Sequence, residues 1–317
     1  KNIYIDDDNL DGYVAWTKTL NFVNVSDSEL EDSSFEIAER KYFEGKNDSS
    51  ILSLKKYLRN FPNGKNSLKA NYYLADILYK EELFNQAADK YKIVLEAGKS
   101  EFSEDVLAKL SQIYLQRKDI YDAIPLLEKL EQEAYIKENI LFAQSNLMKA
   151  YSITKAYNLA IEYAKKILAK DKLDHNLRLD AKTIIARTSF INLDLSTTEE
   201  FYNSVEKEAT GELKAEALYF NAYFKNLNNE FEASTKVVQE LIADYSAYKY
   251  WGVKSYIIMA KNYYSLKDVY QATFILENII KNFTQFEDIV KDAELELDKI
   301  KENEAKTNNS IKPQNKN

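Results

Sequence analysis

The sequence lacks cysteine and has little glycine or proline. Among its 317 residues there are Cys 0, Gly 6 and Pro 3. Without cysteine there is no disulfide, no thiolate nucleophile and no cysteine-based zinc site. Cysteine usage therefore does not indicate whether the protein is in an oxidising or a reducing compartment. So few breakers and turn formers in a chain of this length favour a mostly helical protein.

Long hydrophobic runs and concentrated basic charge are also missing. No run of eighteen uncharged apolar residues exists, so we expect no direct membrane insertion. The first ten residues, KNIYIDDDNL, lack the basic and apolar regions of a signal peptide. Residues 1–34 carry −6 of the net charge of −8, so nucleic acid is disfavoured as a partner. Because the chain begins at Lys1, we expect it to be a piece of a longer protein.

Motifs for catalysis or cofactor binding are missing as well. The sequence contains no GxGxxG, GxxxxGK, HExxH or GxSxG, and its one histidine, His175, lies in a polar stretch without carboxylates at ligand spacing. The run DDDNLDG at residues 6–12 matches the first half of a calcium-binding loop, but Lys18 stands where a bidentate glutamate belongs. We therefore expect no enzyme activity, catalytic residues, cofactor or metal, and leave calcium at 6–12 open.

A pair of small residues recurs along the chain with a period of about 37. The second residue of each pair follows the first by 12 positions, and thirteen of the fourteen residues are small. The pairs are Ala38 and Ser50, Ala75 and Ala87, Ser111 and Ala123, Met148 and Ala160, Ala186 and Thr198, Ala222 and Ser234, and Ala260 and Ala272. Apolar residues at helical spacing surround each small residue, so each copy predicts two short helices that cross where the small side chains meet.

Within a copy, an aromatic residue or leucine follows the first small residue by three positions, and another follows the second by four. Ala75, Leu78, Ala87 and Tyr91 show this pattern, which resembles the tetratricopeptide repeat. The family repeat has 34 residues, so the extra residues here predict longer turns between units. Copies one, five and six depart from the pattern and are the least regular. They have Ser50, Thr198 and Ser234 in place of alanine, and Lys41, Ser189 and Lys225 where an aromatic residue is usual.

The resemblance implies an all-α, right-handed α-solenoid of about seven helical hairpins with a C-terminal capping helix. Residues 57–79, YLRNFPNGKNSLKANYYLADILY, resemble the repeat junctions of bacterial envelope tetratricopeptide proteins. This junction with the preceding FEIAERKYFEGK at 35–46, and YWGVKSYIIMAKNYYSLKDVYQA at 250–272, are similar to the C-terminal part of long, multi-repeat periplasmic proteins of Bacteroidota. We expect an acidic N-terminal segment with one short helix at 1–30, seven repeats at 31–284, a capping helix at 285–303 and a disordered tail at 304–317.

In tetratricopeptide proteins the first helix of each hairpin lines a groove that binds partners. The positions three before, one after and four after the first small residue predict the following groove residues: Tyr72, Asp76, Tyr79, Lys149, Arg187, Tyr219, Tyr223, Lys261 and Tyr264. Tyrosine and arginine are favoured at interfaces, although aromatic residues at helical spacing are more often part of a core. The signs of the charges predict a groove that runs from acidic to basic.

The resemblance therefore predicts a non-enzymatic scaffold that binds another protein or a peptide segment. We expect it in the periplasm, associated with the outer membrane through a region outside this chain, and the cytoplasm stays open. Two alternatives remain from other classes. In the first, the chain recruits substrate for a larger enzyme or for a transport or secretion machine. In the second, it self-assembles into a homo-oligomeric envelope scaffold.

Overall fold

The chain is helical throughout most of the part that the structure describes. The computed structural model describes residues 3, 9–20 and 26–310. These residues form sixteen α-helices, named α1 to α16 in chain order, and no β-strand. The predicted all-α class is confirmed. The chain divides into two compact units, Lys1–Thr154 and Lys155–Asn317, and this boundary lies inside the fourth predicted hairpin.

Unit 1 contains the first eight helices. These are α1 Leu10–Lys18, α2 Asp27–Phe43, α3 Asn47–Asn60, α4 Ser67–Lys80, α5 Phe84–Glu96, α6 Ser103–Gln116, α7 Ile120–Glu133 and α8 Lys137–Ile153. Each helix packs against the next one in the chain, and α2 also contacts α4, as α6 contacts α8. Helices that carry the first small residue of a copy, such as α2 and α4, are called A helices, and those that carry the second, such as α3 and α5, are called B helices.

Unit 2 contains the other eight helices. These are α9 Tyr157–Leu168, α10 His175–Ile191, α11 Leu195–Glu208, α12 Gly211–Leu227, α13 Phe231–Asp244, α14 Lys249–Ser265, α15 Val269–Asn282 and α16 Glu287–Ser310. Neighbours in the chain again pack together, and α14 contacts both α12 and α16. Two apolar clusters form the core of the unit, and α14 contributes side chains to both of them.

The small residues mark the buried crossing points of the helices. All fourteen residues of the seven pairs, Met148 included, have a solvent exposure of 0%. In two hairpins a hydrogen bond shows directly that the A and B helices approach each other closely. Ser50 Oγ donates to the carbonyl of Ala38 over 3.4 Å, and Ser234 Oγ donates to that of Ala222 over 2.7 Å. A side chain thus contacts the backbone of the partner helix, and the predicted crossing is confirmed in these hairpins.

Extra residues relative to the 34-residue repeat lie partly in the helices themselves. The A helices α8, α10, α12 and α14 each have 17 residues, whereas α4 and α6 have 14. In these four repeats part of the extra length therefore forms about one additional turn of helix. The prediction had placed the additional residues in the turns between units.

The turn between the A and B helix has one conformation in all seven hairpins. The residue five positions before the second small residue has a positive φ in every copy, and these residues are Gly45, Glu82, Lys118, Lys155, Leu193, Asn229 and Lys267. In the third copy the amide of Asp119 donates to the carbonyl of Tyr114 over 2.9 Å, as in a Schellman cap. Only one of these positions is glycine, so the composition alone does not signal these turns.

Replacing Leu193 by glycine should stabilise the protein by about 1 kcal/mol, because a left-handed conformation strains any residue with a Cβ. The Leu193 side chain is 82% exposed, so little packing is lost. Thermal unfolding followed by circular dichroism would measure the shift. Gly45→Ala is the matched control and should destabilise, because Gly45 has a φ of 70° that strains a residue with a Cβ. An added Cβ there meets no atom within 4 Å, so the backbone strain is not mixed with a clash. An unchanged or lower melting temperature for L193G would contradict this explanation.

The two ends of the chain carry helices α1 and α16, and the C-terminal end differs in detail from its sequence-based description. In α1 the buried aromatic residue is Tyr13, at 4% exposure, whereas Trp16 is 43% exposed. Tyr13 Oη donates to Glu29 Oε1 of α2 over 2.7 Å. At the other end α16 continues to Ser310, beyond the predicted end at residue 303. Residues 304–310 are thus helical rather than disordered, and 311–317 lie outside the described residues.

Candidate functional site

The nine predicted groove residues lie on A helices of both units. In unit 1, α4 carries Tyr72, Asp76 and Tyr79, and α8 carries Lys149. In unit 2 the residues are Arg187 on α10, Tyr219 and Tyr223 on α12, and Lys261 and Tyr264 on α14. The structure therefore presents two separate sets of candidates, one in each unit.

In unit 1, Asp76 is the centre of a polar network between neighbouring repeats. Its side chain is 4% exposed and lies 2.7 Å from both Lys80 Nζ and Lys109 Nζ. Tyr42 Oη donates to Asp76 Oδ2 over 2.7 Å. Burial by itself raises the pKa of Asp76, but the hydrogen bonds from Lys109, Lys80 and Tyr42 outweigh it and lower that pKa below its usual value. The carboxylate is thus saturated with internal partners.

Lys109 of α6 extends this network to the two predicted tyrosines. Its ammonium lies 2.8 Å from Asp105 Oδ2, which also accepts from Tyr72 Oη over 2.9 Å. The same ammonium lies over the rings of Tyr72 and Tyr79, at 6.0 and 5.8 Å from their centroids. Such contacts between adjacent repeats hold the A helices of unit 1 together.

In unit 2, Arg187 forms a two-pronged ion pair with a buried carboxylate. Its Nε and Nη2 donate to the two oxygens of Glu216, which is 2% exposed. Tyr202 Oη also donates to Glu216 Oε1 over 2.6 Å. The hydrogen bonds to Glu216 raise the pKa of Arg187 above its usual value. Arg187 thus compensates a buried charge within the fold.

The other charged candidate of unit 2 is also paired. Lys261 Nζ lies 3.5 Å from Glu296 Oε2 of α16, and Tyr264 Oη donates to Glu304 Oε1 of the same helix over 3.1 Å. The second contact gives a physical reason for the extension of α16 beyond residue 303. Together with the pairing of Asp76 and Arg187, these contacts neutralise most of the predicted acidic-to-basic gradient locally.

A cavity of about 330 Å³ lies between α12, α14 and α16. Three of the predicted residues line it, namely Tyr219, Tyr223 and Lys261. Ile257 and Ile258 are nearly buried and form apolar walls, and Leu295 of α16 is 53% exposed beside them. We call this cavity the A-face pocket.

Charge in the A-face pocket is carried by three lysines and two carboxylates. Glu296 lies within 3.5 Å of both Lys261 and Lys299. The third lysine, Lys254, has no carboxylate within ion-pair distance among the described residues; its Nζ instead donates to Tyr250 Oη over 3.4 Å. A cation held in this way gives the pocket a positive charge that its own carboxylates do not pair.

The ammonium of Lys254 lies over three aromatic rings. It lies 5.5 Å from the ring centroid of Tyr219, 5.4 Å from that of Tyr250 and 5.8 Å from that of Trp251. Sequence analysis did not find Lys254, because it lies six positions before the small residue Ala260, outside the register used for groove residues. The only sequence signal for Lys254 is the aromatic run YKYW just before it.

The described residues contain no candidate metal site. They contain no group of three or more histidines and carboxylates that could hold an ion. His175 is 58% exposed at the start of α10, with its Nδ1 3.6 Å from Glu208 Oε2. The calcium-loop candidate at 6–12 lies mostly outside the described residues. None of the described helices is long and apolar enough to cross a bilayer.

Solved structures share this fold at low sequence identity. A tetratricopeptide repeat-containing protein of Cytophaga hutchinsonii, represented by its C-terminal part, matches with a TM-score of 0.51 and 13% identity over 83% of this chain and 99% of that chain. A tetratricopeptide repeat protein of Parabacteroides merdae matches with a TM-score of 0.41 and 14% identity over 84% and 99%. No family model matches the sequence, and no curated protein matches it either.

The first of these likenesses shows that the chain has the fold of tetratricopeptide repeat proteins. The predicted resemblance is thereby confirmed, including the likeness to the C-terminal part of a protein of this class from Bacteroidota. At 13% identity the likeness concerns the fold alone.

Proposed function

We propose that this chain is a non-enzymatic protein–protein interaction module that binds a segment of a partner protein in the A-face pocket of unit 2. The observation that carries the proposal is the pocket itself. Three residues predicted from the repeat register line this one cavity, and tyrosine is a favoured anchor at protein interfaces.

The charges and side chains of the pocket favour a particular partner chemistry. Lys254 offers an ammonium without a carboxylate partner among the described residues, and its position over three rings limits its motion. Leu295 and Leu227 expose apolar surface at 53% and 46%. A segment with an acidic side chain next to a bulky apolar one would satisfy both features.

Selection from a displayed random peptide library tests this proposal. We expect the protein to enrich peptides in which Asp or Glu adjoins a bulky apolar residue. Lys254→Ala should weaken binding of a selected peptide at least ~tenfold in fluorescence anisotropy. Tyr121→Ala is the control, because Tyr121 is 79% exposed on α7 of unit 1 and should leave affinity unchanged. Enrichment without acidic residues, or equal affinity for K254A with unchanged circular dichroism, would exclude the pocket.

The module is further proposed to act in the bacterial cell envelope, in the periplasm and associated with the outer membrane. The resemblance of residues 57–79 to envelope tetratricopeptide proteins supports this location. Fractionation of the source bacterium, followed by immunoblotting, would test it. Recovery of the protein with cytoplasmic markers would contradict the proposed location without affecting the pocket.

A further inference from the structure

The B helix α15 exposes a pair of aromatic side chains. Tyr270 is 71% exposed and Phe274, one turn later, is 50% exposed. Their ring centroids are 6.1 Å apart and their planes differ by 19°, so the two rings lie nearly parallel. We call this pair the α15 ridge. Two adjacent exposed aromatic rings form a continuous apolar surface, and burying that surface against a partner is favourable.

An apolar groove lies directly beside the ridge. It consists of two cavities of about 400 and 280 Å³, which share the lining residues Tyr256, Asn282 and Phe283. Phe274 lines the second cavity, so the ridge and the groove adjoin each other on one helix. Val253 and Ile279, at 3% and 1% exposure, lie at the bottom.

The groove is almost without charge. Among the described residues that line it, Lys249 is the only charged one. The amides of Asn278 and Asn282 are engaged along α15, since Asn282 Nδ2 donates to Asn278 Oδ1 over 3.2 Å and Asn278 Nδ2 donates to the carbonyl of Phe274 over 2.8 Å. An occupant of this groove must therefore contribute apolar and aromatic surface rather than charge.

We propose that a second copy of this chain occupies the groove, in a twofold symmetric dimer in which each α15 ridge inserts into the groove of the other copy. A protruding element and a complementary depression on one surface are what an isologous interface requires. The chain has a net charge of −8, so two copies repel each other least where they meet through a face that carries little charge and no carboxylate among its lining residues.

This inference goes beyond the proposed function and is independent of it. No residue lines both the A-face pocket and the groove beside α15. A dimer formed in this way leaves the A-face pocket of each copy available, so that two identical partner segments bind to one dimer. Failure of either proposal leaves the other intact, because each is tested with different variants.

Sedimentation velocity over a range of protein concentrations tests the dimer. The protein should dimerise at micromolar concentration, and the double variant Tyr270→Ser with Phe274→Ser should raise the dissociation constant at least ~tenfold. Tyr121→Ser is the matched control, as an equally exposed tyrosine on α7 of unit 1. A protein that stays monomeric at all concentrations overturns the proposal, as does a dimer that the double variant leaves unchanged.

Cysteine crosslinking tests the geometry, because the chain has no cysteine of its own. Asn278 lies one turn beyond the ridge and lines the groove, so the twofold axis should pass near it. Asn278→Cys should form a disulfide-linked dimer under mild oxidation, whereas Leu52→Cys, at a position 71% exposed in unit 1, should not. Equal crosslinking of the two variants would contradict the proposed arrangement.

Discussion

Replacing Ser234 by leucine should destabilise unit 2 by roughly 3 kcal/mol, because two costs combine at this position. Ser234 is 0% exposed at the crossing of α12 and α13, so the larger side chain forces the helices apart. Its hydroxyl also accepts from Asn262 Nδ2 over 2.9 Å. Leucine would remove this acceptor from an asparagine with an exposure of 0%. Urea unfolding and faster amide exchange in α12 to α14 would measure the loss.

Two further variants separate the costs at Ser234. Ser234→Ala removes the hydrogen bonds without overpacking and should cost about 1 kcal/mol, since Asn262 keeps its contact with Thr235. Ala87→Leu overpacks a crossing in unit 1 that has no such polar contact and should cost less than S234L. The repeat pattern alone suggests the reverse ranking, because Ser234 departs from it. A larger effect of A87L would support that simpler view.

Replacing Arg187 by methionine should lower the free energy of unfolding by about 2 kcal/mol, because Glu216 then keeps its charge in a buried position with only Tyr202 as a partner. The loss is smaller than for a fully buried pair, since the Arg187 side chain is itself 55% exposed. Urea unfolding would measure it. The same substitution should not affect peptide binding in the A-face pocket, whose lining does not include Arg187.

A second substitution identifies the cause of this loss. Glu216→Gln retains an acceptor for Tyr202 but removes the charge, so the double variant with Arg187→Met should be more stable than R187M alone. If the double variant loses at least as much stability as the sum of the two single variants, the buried charge is not the reason.

The sequence predicts the fold because the fold depends on side-chain size at a fixed spacing. Small residues 12 positions apart can be recognised in a single sequence, and in the structure each of them is buried. The turns were harder to predict, since a Schellman cap is formed by backbone groups and here accepts Glu82 or Leu193 at the left-handed position. The division between residues 154 and 155 has no signal in the repeat pattern.

The candidate site was predictable only in part. The position of a residue within the repeat assigns it to a face of the A helix, but it does not show which side chains that residue contacts. Tyr219, Tyr223 and Lys261 were found and line one cavity. Asp76 and Arg187 occupy the same kind of position but are held by Lys109 and Glu216 from neighbouring repeats. Those partners lie 33 and 29 residues away in the sequence. They can be recognised only once it is known how the repeats stack on one another.

The spacing within the hairpins has a consequence for how such a chain can change in length. In every copy 12 residues separate the two members of the recurrent pair, whereas 24 to 26 residues separate one pair from the next. An insertion in an A–B turn would rotate one helix relative to the other and remove the small residue from the contact. Evolutionary drift in repeat size, and any engineered tag or domain, is therefore confined to the segments that join consecutive hairpins.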